Sequence, residues 1–252
     1  MDSIGIFIIS ENELAGLDLT TKEFDYIKPL FKNSDISKYY TNTTTKYNLI
    51  DLFFPNDKDV DLDKIPNILS HLSKYKKILE NRKENANGID KQIKKGNYYF
   101  ASVRRKLDFD QEKIVAPQRS RTNTFGYNNT PWYASADVYF ITQPKDKYSL
   151  KFILGVLNSH TVFLWLFNRG KRKGEMLELY QEPLSVIPIP IITDVNKNIV
   201  KEVEVCVNDI LNKKKLDKNA NIKEFEQKID ELVMDLYGLN DDEKEIMRNS
   251  TK

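Results

Sequence analysis

Two short stretches of this 252-residue chain carry side chains suited to contacting a polyanion. In the first, APQRSRTNTFGYNNTPWY (residues 116–133), amide and guanidinium groups stand among aromatic rings. Arginine can bridge the two acceptors of guanine, and glutamine or asparagine can pair with adenine, in the major groove of DNA. The side chains that we predict to read bases are Gln118, Arg119, Arg121 and Asn123. A polar loop over buried aromatic rings is the alternative interpretation.

The second stretch, GKRKG (residues 170–174), places Lys171, Arg172 and Lys173 between two glycines, directly after an apolar segment. Glycines let backbone N–H groups come close to a ligand, and three cations without a fixed geometry suit phosphates better than bases. We therefore predict contacts to a sugar–phosphate backbone here. We predict the same contact for Arg104 and Arg105; weaker candidates are Lys74, Lys77 and Arg82.

The charge distribution supports this interpretation. The net charge is only +2, but residues 71–125 carry 14 Lys and Arg against 6 Asp and Glu, whereas residues 1–70 carry 7 against 12. Such a local excess is what a nucleic-acid-binding face requires. Two alternatives remain: a solvated helix surface, and a protein-interaction scaffold whose basic face binds an acidic partner.

Motifs for catalysis are absent from the sequence. It contains no glycine-rich phosphate loop, no HExxH and no GxSxG. Cys206, His71 and His160 are the only cysteine and histidines, so neither a disulfide framework nor a zinc site is expected. We predict structural roles for both histidines and no metal site.

One acidic cluster resembles a nuclease site loosely. Asp108, Asp110, Glu112 and Lys113 lie near a predicted strand. Two-metal hydrolysis requires carboxylates on a shared metal-binding face, and this spacing matches that arrangement poorly. A nuclease is therefore the weakest of the alternatives.

The elements that must position these side chains follow from apolar periodicity and turn residues. Together they predict an α+β fold: a mixed sheet with flanking helices in residues 1–193, then a C-terminal helical segment, residues 194–252, packed on the domain or on a partner. Helices are predicted at 20–31, 61–84, 147–168, 197–215 and 222–238. Strands or β-rich stretches are predicted at 5–10, 46–54, 98–109, 112–127 and 132–142, with a loop at 85–97 and an extended segment at 184–190.

The start of the chain and its most apolar run bear on localisation. MDSIGIFIIS has no basic residues before its apolar run, so it does not resemble a signal peptide. The apolar run FILGVLNSHTVFLWLF (152–167) is shorter than the roughly 20 residues that a membrane-spanning helix needs. We predict a buried helix there, no membrane association, and a reducing, cytoplasmic setting.

Blocks of the sequence also resemble, in order and over nearly the whole chain, one protein family. They include IPNILSHLSKYKKILENR, EKIVAPQRSRTNTFGY, WYASADVYFIT and LKFILGVLNSHTVFLWLFNRGKRKGEMLELYQEPLSVIPIP. The most specific part runs from Leu157-Asn158-Ser159 through Gly170 to Ile187-Pro188-Ile189-Pro190. The family is the TaqI-like specificity domain, the target recognition region of adenine-specific DNA methyltransferases and of Type IIG restriction-modification enzymes.

The resemblance implies a module that recognises a sequence in double-stranded DNA and packs against a methyltransferase or nuclease partner. The S-adenosylmethionine loop and the Asn-Pro-Pro-Tyr type motif of the catalytic half do not occur in this sequence. We therefore expect no catalysis from this chain alone, and we expect S-adenosylmethionine and Mg²⁺ only in the catalytic part. An excised domain, a truncated gene product and a separate specificity subunit all fit this expectation.

Overall fold

The computed structural model describes residues 5–52, 61–82, 89–101, 109–142 and 148–250. Helices and strands are interspersed along the chain, which confirms the expected α+β class. The chain divides into two compact units that do not separate at residue 193. Unit one comprises residues 1–31, 43–110 and 131–133, and unit two comprises residues 32–42, 111–130 and 134–252.

Unit one is built on an antiparallel sheet. Three of its four strands are β1 (Ile8–Ser10), β2 (Ile27–Phe31) and β3 (Tyr47–Ile50), with β3 between β1 and β2. The helix predicted at 20–31 is wrong, because only one 3₁₀ turn, Glu23–Tyr26, precedes β2. Pro29 lies inside the predicted helix, where it would remove a backbone hydrogen bond. Residues 27–29 instead pair with β3, so this segment forms a strand.

Short helices cover this sheet. They are α1 (Glu11–Ala15), α2 (Pro66–Ser73), α3 (Lys76–Glu80) and α4 (Ile89–Lys94). The helix predicted at 61–84 is thus two helices with a break at Lys74 and Tyr75, and the predicted loop at 85–97 contains α4. Of the strand predicted at 98–109, residues 98–101 are not a strand and residues 102–108 lie outside the described residues.

A buried carboxylate fixes the start of α2. Glu23 has no exposed surface, and its two oxygens accept the backbone N–H groups of Thr20, Asn67 and Ile68 at 2.7–2.9 Å and the Asn67 side-chain amide at 3.0 Å. Burial opposes the charged form, but these hydrogen bonds outweigh it and hold the pKa of Glu23 below its ordinary value. The charge therefore stabilises unit one.

Unit two contains two small sheets, each with three strands. The first consists of β4 (Lys113–Pro117), β6 (Gly126–Asn128) and β8 (Val138–Ile141), in the antiparallel order β6-β4-β8, and all five residues of β4 are buried. The second, which we call the basic sheet, consists of β5 (Arg119–Ser120), β9 (Arg172–Lys173) and β10 (Met176–Glu178) in the order β5-β10-β9. The β-rich stretches predicted at 112–127 and 132–142 are confirmed; the second also contains β7 (Tyr133–Ala134).

The predicted apolar helix is two helices, α5 (Leu150–Asn158) and α6 (His160–Arg169), bent by 65°. Ser159 makes the break, because its hydroxyl donates to the Val156 carbonyl at 2.7 Å and accepts the Val162 N–H at 3.3 Å. In the described part of the chain no single helix is long and apolar enough to span a membrane. The bent pair would suffice by length and composition, but most of its apolar residues are buried in the core of unit two.

The C-terminal helices α8 (Lys197–Leu216) and α9 (Lys223–Leu236) pack into the same core. Gly155 in α5 allows this packing, because a Cβ at that position would lie 2.5 Å from Val203 Cγ1 in α8. A further helix, α10 (Asp241–Asn249), starts with a capping box between Asn240 and Glu243. A five-residue helix, α7 (Gln181–Ser185), occupies the start of the segment predicted as extended.

Candidate nucleic-acid interface

The basic sheet joins the two stretches that the sequence separates. β10 pairs with β5 on one side and with β9 on the other, so that Arg119 lies opposite Glu178 and Lys173 lies opposite Met176. Arg119 and Glu178 are 59 residues apart along the chain. The predicted base-reading stretch and the predicted phosphate-binding stretch are therefore neighbours in space.

Strand pairing also assigns faces to this sheet. Directly opposed residues point to the same side, and residues two apart along a strand do as well. Leu177 is 1% exposed and marks the side that faces the core. Arg119, Lys173, Met176 and Glu178 therefore share the other, solvent face.

The cations predicted as a loop lie on a β-hairpin. A two-residue turn, Gly174 and Glu175, connects β9 to β10, and Gly174 has a φ of +62°, which glycine adopts without strain. Lys171 forms an ion pair with Glu182 and lies 5.7 Å from the centre of the Tyr180 ring. Hydrogen bonds to Glu182 and Tyr180 raise the pKa of Lys171. The lysine therefore keeps its positive charge.

Arg172 and Lys173 differ in their surroundings. The Arg172 guanidinium lies 4.2 Å from the centre of the partly exposed Phe167 ring, which holds it by a cation–π contact. Lys173 is exposed and makes no ion pair or hydrogen bond with any described residue. Lys173 is thus the cation of the hairpin with the greatest freedom to follow a phosphate.

The predicted base-reading side chains occupy different environments. The Gln118 backbone N–H donates to the Asp137 carbonyl at 2.7 Å, and the Gln118 carbonyl accepts the Leu179 N–H at 2.8 Å. The Gln118 side chain is half-buried. The Arg119 side chain is 42% exposed, and its Nε donates to Glu178 Oε1 at 3.2 Å. Arg121 is exposed and makes no such contact within the described residues.

Asn123 lies in a different environment from the other three. It is 3% exposed, and its Nδ2 donates to the carbonyls of Leu157 and Ser159, both at 2.7 Å. Asn158 holds the next turn, because its side chain accepts the Phe125 N–H and donates to the Phe125 carbonyl. Since both N–H groups of Asn123 are used inside the protein, we assign it a structural role and remove it from the predicted readers.

A groove of about 550 Å³ opens beside Arg119 and Arg121. One side is lined by Pro117, residues 119–122, Thr124 and Met176, and the other by Asn33, Ser34 and residues 36–38 of a turn. Backbone hydrogen bonds attach that turn to unit two, since the Tyr39 N–H donates to the Phe125 carbonyl at 2.8 Å. None of the described residues that line the groove is acidic, whereas serine and threonine hydroxyls and three cations do line it.

The sequence did not indicate the turn at residues 33–38. It supplies Asn33, Ser34, Ser37 and Lys38 to the groove, and Lys38 also forms an ion pair with Glu226 at 3.0 Å. No spacing pattern connects these residues to Arg119, because they lie more than eighty positions earlier in the chain. Only the folded chain brings them together.

The remaining predicted backbone contacts belong to unit one. Lys74 and Lys77 are exposed. Arg82 instead donates to the carbonyls of Leu79, Tyr98 and Phe100 at 2.6–3.1 Å and lies 5.4 Å from the centre of the Phe7 ring. A structural role accounts for Arg82, and we remove it from the predicted phosphate contacts; Arg104 and Arg105 lie outside the described residues.

The acids considered for a nuclease have other partners. Glu112 accepts a hydrogen bond from the Tyr127 hydroxyl, and Asp110 accepts one from Tyr133 at 3.4 Å. Lys113 is buried and donates from Nζ to the carbonyls of Gln111 and Thr130. Asp108 lies outside the described residues, and within the described ones no group of three potential metal ligands occurs.

Both histidines contact backbone carbonyls. His71 Nε2 lies 2.9 Å from the Ile6 carbonyl in unit one. In unit two, the His160 N–H donates to Asp230 at 2.6 Å, and its Nε2 lies 3.1 Å from the Met247 carbonyl. These contacts leave the basic sheet and its groove as the candidate site.

Comparison with known proteins gives one family match. The model of the TaqI-like C-terminal specificity domain matches residues 28–189, which include most of β2, the groove, the basic sheet and most of the segment before α8. The match thus covers more than half of the chain and contains every element of the candidate site.

Two curated proteins and one solved structure are also similar. The chain is 27% identical to Type II methyltransferase M.MjaIV of Methanocaldococcus jannaschii over 93% of the chain and 75% of that protein. It is 27% identical to Type II methyltransferase M.HincII of Haemophilus influenzae over 57% of the chain and 29% of that protein. The Type IIL restriction-modification enzyme MmeI, solved in complex with DNA, shares the fold, with a TM-score of 0.66 at 16% identity over 98% of this chain and 34% of that one.

Proposed function

This chain belongs to the family of TaqI-like C-terminal specificity domains, and on that premise we propose that it recognises a specific sequence in double-stranded DNA for a restriction-modification system. Family membership gives the coarser role, target recognition in restriction-modification. The proposal adds the surface: the solvent face of the basic sheet, the groove beside it, and the exposed Arg172, which lies opposite Leu177 on the other face of β9. Gln118, Arg119 and Arg121 would read bases, and Lys171, Arg172 and Lys173 would contact phosphates.

One observation supports this surface above all others. The β10 strand pairs with both β5 and β9, and it thereby places a guanidinium group and an unpaired lysine on one exposed face. Guanidinium groups suit base edges, and mobile cations suit phosphates. Because DNA presents its base edges between two lines of phosphates, a surface with both kinds of group side by side matches what it must contact.

We propose that a separate catalytic part carries the chemistry. The chain spans about a third of MmeI and less than a third of M.HincII, so there is room in such proteins for further domains. S-adenosylmethionine and Mg²⁺ would bind in that part, and Lys74 and Lys77 of unit one remain weaker candidates for DNA contacts. The chain itself would select the site at which the partner acts.

The proposal is tested by selection from a randomised duplex library at two salt concentrations, with no Mg²⁺ present. We expect a short motif to be enriched, and the affinity for it to fall steeply as salt is raised, because phosphate contacts release counterions. Binding without any preferred motif would contradict sequence recognition by this chain. Absence of DNA binding, with binding to acidic proteins, would favour the interaction scaffold.

A further inference from the structure

Glu178 is an acidic residue beside the cations of the basic sheet. Among the strand residues that share the solvent face of the basic sheet, it alone is negatively charged, and its side chain is 16% exposed. A carboxylate here lowers the local attraction for phosphates, which is opposed to the function proposed for the surface. Glu178 lies directly opposite Arg119, so its carboxylate acts on that guanidinium.

The ion pair uses one particular nitrogen of Arg119. Nε donates to Glu178 Oε1 at 3.2 Å, and the described structure records no other hydrogen bond or ion pair for this guanidinium. The guanidinium is planar, and its N–H donors keep a fixed relative geometry. A carboxylate on the Nε edge therefore restricts rotation of the plane and leaves the two terminal amino groups, Nη1 and Nη2, for a ligand.

Two parallel donors at a fixed spacing match guanine. The O6 and N7 atoms of guanine are both acceptors in the major groove, and an arginine that meets them with two N–H groups is the commonest specific contact to DNA. A phosphate would also accept two such bonds. However, the Arg119 and Glu178 pair has no net charge, so it gains little of the counterion release that makes phosphate contacts favourable.

We infer that Arg119 reads a guanine through Nη1 and Nη2, and that Glu178 is the positioning residue that holds its guanidinium in the reading orientation. This inference rests on the proposed function and adds to it the base that is read and the residue that fixes the reader. Glu178 itself contacts no base. It limits the rotamers of Arg119 before DNA arrives, so that less conformational freedom is lost on binding.

The test compares the base preferences of the wild-type chain with those of Arg119→Ala, Glu178→Ala, Glu178→Gln and the double alanine variant. Each is subjected to the same library selection, followed by affinity measurements on the preferred duplex and on a duplex with one guanine replaced. Thermal unfolding serves as the control for folding. Because Arg119 is 42% exposed, we expect little change in the unfolding temperature of Arg119→Ala; Glu178 is 16% exposed, so Glu178→Gln, which keeps the size of the side chain, is the control for any loss of folding in Glu178→Ala.

For Arg119→Ala we expect discrimination at one guanine to fall about tenfold. For Glu178→Ala we expect a fall of about fivefold at the same guanine, and none elsewhere. Glu178→Gln should restore discrimination to within about twofold, because glutamine keeps the Oε1 acceptor. The double variant should be no worse than Arg119→Ala alone, since Glu178 acts through Arg119.

The outcomes separate the inference from the function on which it rests. If the wild-type chain enriches no motif, the proposed function is overturned and the inference with it. If it enriches a motif, but Glu178→Ala changes a position different from that changed by Arg119→Ala, then Glu178 reads a base itself and the positioning role is overturned. A motif that neither substitution alters would overturn the assignment of Arg119.

Discussion

Two arginines of this chain carry the same charge and were both predicted to contact DNA, yet they differ in how many of their N–H donors are used inside the protein. Arg82, in unit one, donates to three backbone carbonyls and lies over the Phe7 ring. Arg119, in unit two, gives only Nε to Glu178 and leaves 42% of its side chain exposed. The number of donors already used inside the protein, rather than the charge, tells which arginine is available to a ligand.

The two glutamates show the same difference. Glu23 of unit one is fully buried and accepts four N–H groups of its own unit, so its charge holds the chain together. Glu178 of unit two accepts a hydrogen bond from the partly exposed side chain of Arg119. The charges of Glu23 and Arg82 in unit one therefore serve folding, whereas we propose that the charges on the basic sheet serve binding. The five predictions that follow test this division.

The largest effect is expected for Glu23→Gln. Glutamine has one oxygen where Glu23 has two, so its NH₂ group would face N–H donors that now have an acceptor. We expect unit one to lose about 3 kcal/mol of stability, since each buried donor without a partner costs roughly 1–3 kcal/mol. Denaturant unfolding in a Trp165→Phe background measures it, because the remaining Trp132 is buried in unit one.

The difference in stability between the wild type and Glu23→Gln should depend on pH. The pKa of Glu23 lies below its ordinary value of 4.5 in the folded protein, so its stabilisation is complete above that pH and is lost as the pH falls through the folded pKa. The stability difference between wild type and Glu23→Gln should therefore shrink on acidification. A difference that stays constant as the carboxyl titrates would contradict the role of the charge.

A smaller loss of stability is expected for Arg82→Ala. The carbonyls of Tyr98 and Phe100 would lose a charged donor, at a cost of about 2 kcal/mol in unit one. DNA affinity and its salt dependence should not change. Lys91→Ala is the matched control, since it removes the same charge from an exposed position of unit one and should cost less than about 0.5 kcal/mol. Unchanged stability together with weaker DNA binding would reverse the assignment of Arg82.

Arg121→Ala should alter binding and leave folding intact. Its side chain is exposed and has no partner within the described residues, so the unfolding midpoint should stay the same. We expect it to lose about 1.5 kcal/mol of discrimination at one base pair of the preferred site, as for loss of a good arginine contact to a base. Competition binding against duplexes with single substitutions measures this, and Lys215→Ala is the charge-matched control. Equal weakening of specific and random duplexes would show a phosphate contact instead.

The smallest effect is expected for Lys173→Ala. A single flexible cation should weaken binding to all sequences by about threefold and reduce the slope of log affinity against log salt concentration by about 0.9. Sequence preference should stay the same. Binding curves at several salt concentrations for the preferred duplex and a random one measure both quantities. A loss confined to the preferred duplex would move Lys173 into the set of base readers.

The sequence predicted the classes of element better than their limits. Apolar periodicity located the C-terminal helices and the β-rich stretches, because each of these faces one core. It failed at Pro29, where pairing with β3 makes a strand, and at Ser159, where one hydroxyl ends α5 and begins α6. The pairing of a strand depends on residues that are remote in sequence, and a helix cap depends on a side chain that hydrogen-bonds to the nearby backbone. Apolar periodicity contains neither kind of information.

The sequence by itself determined the family. It also showed which residue types suited to DNA recognition are present: the arginines, the glutamine and the lysines of the candidate site. Only the tertiary structure decided which of them are available. In the folded chain Asn123 is buried against α5, and the guanidinium of Arg82 donates to backbone carbonyls. Arg119 lies beside Glu178. The physical reason is that a polar group satisfies its hydrogen bonds with whatever the fold brings near it, and that neighbour is set by long-range pairing of the chain.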